Sequence, residues 1–157
     1  AKAVFFKEML TPEYQRRQFR IVENAQVLAQ AFDRLGYDIL TGGTDNHMFC
    51  INVGHFREGL TGAIAQHCLE DCGIIVNMNR LPYDPHSARV TSGMRLGTPI
   101  VTRNGMGQAH MQTIATLIDR VLTQVEPLGG RDYRLDDRLR LETRQQVQDL
   151  CARFPIA

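Results

Sequence analysis

At 157 residues and 43% hydrophobic content, the chain is long enough for one domain with a core of its own. Eighteen basic side chains against seventeen acidic ones leave a net charge of +1, which excludes nucleic-acid or membrane-surface binding carried by bulk electrostatics. No apolar run approaches the ~20 residues of a transmembrane helix, and nothing at the start resembles a signal peptide, so the expected compartment is the cytoplasm.

The opening "AKAVFFKEML" enters helical pattern directly, without an initiator Met or a cap, and reads as a chain entered partway through. Thr11-Pro12-Glu13 then signals a helix start: threonine caps, and proline suits the first helical position. Val22, Ala25, Ala29 and Phe32 recur at helical spacing, and Gly36 closes the helix. Met9 and Met48 read as core filler.

"YDIL" and "HMFCINV" read as strands joined by the turn-rich Gly42-Gly43-Thr44-Asp45-Asn46. Thr61 caps a helix through Cys72, Gly73 ends it, and "IIV" follows as a strand. "NMNRLPYDPHSA" reads as a loop, because its asparagines, prolines and aspartate discourage regular pairing. "VTSGMRLGTP" is a strand and "TRNGMG" a turn; a helix runs from about Gln108 to Val125, "EPLGGRDY" is a linker, and a charged helix spans Asp136 to Cys151. Strands and helices do not alternate regularly. The expectation is an α+β fold, a small sheet with helices on one face and the long N-terminal helix packed across it.

Within the strand "VTSGMRLGTP" stands a permanent cation, Arg95, between Gly93 and Gly97. Burying a guanidinium is costly unless an anion meets it. The flanking glycines remove side chains on both sides, so a ligand or another backbone can come close. A planar guanidinium grips a carboxylate through two parallel hydrogen bonds, which makes Arg95 a candidate carboxylate clamp.

The other polar stretches read as structural. In "GGTDNH", Asp45 and Asn46 cap local backbone and His47 heads a strand. "NMN" is an asparagine-rich turn, and Asp84 is a turn residue between prolines. The glycines fit no phosphate-cradling pattern. Cys50, Cys68, Cys72 and Cys151 form no disulfide framework; Cys68 and Cys72 share a helix face beside His67, yet no further ligands stand at zinc spacing, so no metal site is expected. A Schiff-base lysine would have to be Lys2 or Lys7, the two lysines of the chain.

Together, "AKAVFFKEMLTPEY", "NAQVLAQAF", "GGTDNH", "LTG", "GIIVNMN", "P-Y-D-P", "VTSGMRLGTP" and "LCARFPIA" resemble, in order and over nearly the whole chain, the C-terminal part of the serine hydroxymethyltransferases. These are pyridoxal-phosphate enzymes that interconvert serine and glycine with tetrahydrofolate. The resemblance implies that residues 1–157 form the small C-terminal domain of a fold-type-I transferase. It implies that Arg95 binds the substrate α-carboxylate and that Asn79 stands at a folate-contacting position. No catalytic residue is implied in this chain, since the family's Schiff-base lysine, its aspartate to the pyridine nitrogen and its base belong to a large upstream domain. Lys2 matches a different family lysine. The implied partners are that large domain or an N-terminal chain, a second copy in a homo-oligomer, and a small amino acid. The chain alone is expected to be inactive.

Three departures surround the folate-facing loop. Met78 stands where the family usually has lysine, Ala88-Arg89 where it has proline-phenylalanine, and Tyr83 where it has a small or polar residue. They put folate use in question and leave two alternatives: a folate-independent threonine aldolase or transaldolase of the same fold, or a non-catalytic amino-acid-binding or interaction module.

Overall fold

The computed structural model describes residues 2–156. Helix α1 (Lys2–Met9) leads through a break into the long α2 (Pro12–Arg34). Thr11 makes that break: its Oγ1 donates to the Glu8 carbonyl at 2.6 Å and accepts from the Tyr14 N–H at 3.2 Å, capping α2 with Pro12 in the first turn. After Leu35, Gly36 turns the chain at φ 86°. The buried face of α2 carries Ile21, Asn24, Ala25, Leu28, Ala29 and Phe32, whereas Val22 is only half-buried.

Four antiparallel strands form the sheet in the order β1-β2-β4-β3: β1 (Asp38–Ile39), β2 (Met48–Asn52), β3 (Asn77–Asn79) and β4 (Gly93–Gly97). A 3₁₀ turn (Leu40–Gly42) follows β1. The short α3 (Val53–Phe56) and α4 (Gly62–Asp71) lie between β2 and β3; α5 (Pro99–Arg103) and α6 (Gln108–Gln124) follow β4. A hairpin, β5 (Glu126–Gly129) and β6 (Asp132–Arg134), precedes α7 (Asp137–Arg153).

Pairing sorts the sheet residues cleanly by face. Ile39, Ile51, Met94 and Met78 form one inward row, with Phe49 and Leu96 as the next. Except for the half-buried Met78, these side chains are buried among residues of α2, α4 and α6. α2 packs on α6 and across β1 and β2, so the α+β arrangement with the long helix on a small sheet is as expected.

Several local expectations change. The strand expected at Ile74–Val76 begins three residues later, because its hydrogen bonds come from β4, and "NMN" is therefore a strand. "EPLGGRDY" is the β5–β6 hairpin, turned by Gly129 and Gly130 at φ 111° and 59°. Met9 and Met48 are on the surface: α1 buries no residue, and Met48 lies on the outward face of the sheet. α1 leaves Val4 and Phe6 exposed by 73% and 59%, and Leu10 just after it by 82%. Among the described residues, no helix is long and apolar enough to cross a membrane.

Candidate functional site

The outward face of the sheet has its own rows. Asp38, Asn52, Gly93 and Asn79 lie side by side across the four strands; Cys50, Arg95 and Asn77 form the next row; Met48 and Gly97 form the last. Among the described residues, Arg95 is thus the one cation in these strand rows, on an interior strand, half-buried, with a thiol on one side and an amide on the other. Among the described residues it makes no ion pair. Burial pushes the Cys50 thiol up, against the opposing pull of Arg95, so Cys50 is a neutral neighbour. A half-desolvated guanidinium without an internal carboxylate can accept a planar anion.

The two glycines around Arg95 do different things. A Cβ on Gly93 would stand 2.5 Å from both the Asn79 carbonyl and Leu81 Cδ2, so the chain itself fills that space. Of the two expectations for Gly93, close approach of a ligand or of another backbone, the second holds: the neighbouring strand, with Leu81, takes the space. At Gly97 a Cβ would meet only ordinary neighbours, at 3.4 Å or more. Of the two, Gly97 is the less crowded, although His47, Met48 and Pro99 stand in contact with it.

Asn79 lies on the same face as Arg95, one row away; its Nδ2 donates to the Arg80 carbonyl at 2.9 Å. Met78 alternates to the opposite face, opposite Met94, and its backbone N–H donates to Gln66 Oε1 at 2.8 Å. The missing lysine at this position therefore leaves the Arg95 face unaltered. Tyr83 is fully exposed at φ 56°, and Ala88 and Arg89 sit in an exposed turn before β4.

Asp84 does more than a turn residue need do. Its Oδ2 accepts from the backbone N–H groups of Leu81 (3.1 Å) and Ser92 (2.9 Å), and its Oδ1 from the His86 N–H (2.9 Å) and the Ser92 hydroxyl (2.8 Å). Burial acts to raise its pKa, but these four bonds outweigh it and hold the carboxyl down to about 2. The loop between β3 and β4 is pinned by this one side chain. A second tie comes from the start of α4: the N–H groups of Gly62 and Ala63 donate to the Thr91 and Val90 carbonyls at 2.9 Å. A Cβ on Gly62 would overlap Thr91 Oγ1 and the Gly93 carbonyl, so only glycine lets α4 come so near. The sequence signal for Asp84 is its setting among prolines; for Gly62 it is membership of the "LTG" motif, which says nothing of the close approach.

In "GGTDNH", Asn46 caps local backbone as the sequence predicts, and Thr44, rather than Asp45, supplies the other tie. Thr44 Oγ1 donates to the Met48 carbonyl at 2.6 Å and Asn46 Oδ1 accepts from the Met48 N–H at 3.0 Å. His47 accepts the Thr98 N–H at its carbonyl and lines a groove of about 430 Å³ with Phe5, Tyr14, Pro99 and Arg103, away from Arg95. Burial raises the Cys68 thiol to about 12 and the Cys72 thiol to about 11, so both are inert. Among the described residues, no three His, Cys, Asp or Glu side chains converge on a possible metal position. Lys2 and Lys7 both belong to α1 and not to the sheet.

Comparison with known proteins agrees with these motifs. The serine hydroxymethyltransferase family model matches residues 1–118. A serine hydroxymethyltransferase of Acinetobacter baylyi is 40% identical over 156 residues, 99% of this chain and 35% of the relative. The chain thus spans about a third of the length of that relative. With the family model covering the elements that build the Arg95 face, and the relative extending through α7, the chain belongs to the serine hydroxymethyltransferase family, as a C-terminal domain of it.

Proposed function

We propose that this chain is the part of a serine–glycine hydroxymethyltransferase that holds the substrate carboxylate, with Arg95 as the clamp. The observation that carries the reading is Arg95 itself: a cation on an interior strand, flanked by Cys50 and Asn77, with no carboxylate partner among the described residues, in a family named for its action on serine. The carboxylate would approach over Gly97, since Leu81 closes the Gly93 side. Two parallel N–H···O bonds would fix the amino acid in one plane and leave its α-carbon facing away from the strand.

Pyridoxal phosphate is the cofactor implied by the family, and the residues of this chain do not fit it. Its aldehyde is held by a lysine, and Lys2 and Lys7 lie on α1, not on the face that carries Arg95. The cofactor, and with it the bond-breaking chemistry, would belong to a large domain or N-terminal chain of the same cytoplasmic homo-oligomer. This chain alone would show no aldol turnover. Asn79, one row from Arg95, would contact tetrahydrofolate, the role that the family resemblance implies for its position.

The runner-up is a threonine aldolase or transaldolase that works without folate, favoured by the altered residues Tyr83 and Ala88-Arg89 beside the Asn79 strand. The complete enzyme decides. Serine cleavage that depends on tetrahydrofolate, with glycine affinity lost in Arg95→Lys, supports the first reading. Threonine cleavage indifferent to folate supports the second. Amino-acid binding with neither activity supports the non-catalytic module.

A further inference from the structure

We infer that Thr98 and Asn24 are positioning residues, a polar latch that fixes the axial register of α2 against β4 and so sets where Arg95 stands. The inference rests on the reading of Arg95 as the carboxylate clamp.

Thr98 follows β4 directly, three residues after Arg95, and three elements meet on it. Its N–H donates to the His47 carbonyl at 3.1 Å, its own carbonyl accepts from the Thr102 N–H at 3.0 Å, and its hydroxyl donates to the Ile21 carbonyl of α2 at 2.7 Å. One turn along α2, Asn24 Nδ2 donates to Thr102 Oγ1 at 2.8 Å and to the Met106 carbonyl at 3.0 Å. Thr98, Asn24 and Thr102 are exposed by 2% or less. Both Asn24 N–H donors are used.

Polar groups here need an explanation, because apolar side chains of the same shape would fill the site at less cost. The rest of the α2 face supplies one. Its buried stripe interleaves the small Ala25, Ala29 and Ala31 with Ile21, Leu28 and Phe32, apolar packing that sets how deeply the helix sits but adds no directional bond along its axis. Directional hydrogen bonds specify one register where smooth apolar contact allows several. α2 leads back to α1, which touches it through Phe5 against Tyr14 and leaves Val4 and Phe6 exposed. If the reacting end of the substrate is held by another part of the enzyme, the α2–β4 register decides whether Arg95 and that end meet the same molecule.

The test uses the complete enzyme and glycine or L-serine. Thr98→Val keeps the shape and removes the hydroxyl; Thr98→Ser restores it. Thr98→Val is expected to raise KM for the amino acid about tenfold while kcat stays within about twofold, because a displaced Arg95 loses binding and not chemistry. Thr98→Ser is expected to return KM to within about twofold of the parent, on the same reasoning. In Arg95→Lys, adding Thr98→Val is expected to cost almost nothing more, since the latch acts through Arg95.

Unchanged KM with a lowered melting temperature, or full additivity with Arg95→Lys, would overturn the latch. Arg95→Lys without effect on amino-acid affinity would overturn the underlying reading, and the latch with it. Should Thr98→Val fail to fold, Asn24→Asp is the second variant: it removes both donors at Thr102 and Met106 and is held to the same KM and additivity criteria.

Discussion

Asp84 grips Ser92 twice, accepting its backbone N–H at 2.9 Å and its hydroxyl at 2.8 Å. Ser92 immediately precedes β4, so the carboxylate anchors the strand that carries Arg95. Asp84→Ala removes four accepted bonds from a partly exposed group and is expected to destabilise the chain by about 2 kcal/mol. Urea unfolding measures it.

The same group predicts a pH dependence. Its folded pKa, about 2, lies below the ordinary 3.8, so its contribution is complete above about pH 4 and fades as pH falls toward 2. The stability difference between the parent and Asp84→Asn should shrink over that interval. A difference that stays constant from pH 6 down to pH 2 would show that the charge is not what holds the loop.

Two glycine-to-alanine changes separate overlap from ordinary contact. Gly62→Ala drives a methyl into Thr91 and the Gly93 carbonyl, and the expected loss is at least about 2 kcal/mol. Gly97→Ala meets nothing nearer than 3.4 Å and should stay within about 0.5 kcal/mol of the parent. Equal melting temperatures for the two variants would contradict the close approach of α4 to β4.

Tyr83 holds φ 56° with its ring in solvent. Asparagine tolerates that conformation better, so Tyr83→Asn is expected to raise stability by about 0.5 kcal/mol. Thermal unfolding of the two proteins side by side decides it.

In the complete enzyme, Arg95→Lys keeps the charge but loses the planar fork, and glycine affinity should fall at least about tenfold, or ~1.4 kcal/mol. Met78→Lys should leave glycine affinity unchanged, because residue 78 occupies the other face of the sheet. Calorimetric titration of both variants compares the two faces directly.

Features decided by neighbours in sequence were legible in it. Thr11 and Thr61 cap helices, and Gly36 and Gly73 take φ 86° and 82°, because each solves a problem within a few residues. Features decided at long range were not. Asn77–Asn79 has poor strand propensity and pairs only because β4 comes alongside. The hairpin at Glu126–Arg134 hid behind Pro127 and two glycines. Arg95 stood out because a cation between glycines in an apolar run is locally anomalous. That Leu81 closes Gly93 depends on how the intervening loop folds back, which no local pattern states.

The strand order bears on how the chain can be made. β4 is the last of the four in sequence, yet it lies between β2 and β3. A nascent chain that has emerged only as far as Asn79 has no partner for β3, and β2 keeps one edge open. Ile51 and Phe49 must then wait for a strand some 45 residues downstream, across a loop whose closure carries an entropic cost. Synthesis from the N-terminus would therefore hold the sheet half-built until Gly93–Gly97 leaves the ribosome, and substitutions that slow the folding of the Asp84 loop would lengthen that exposed interval.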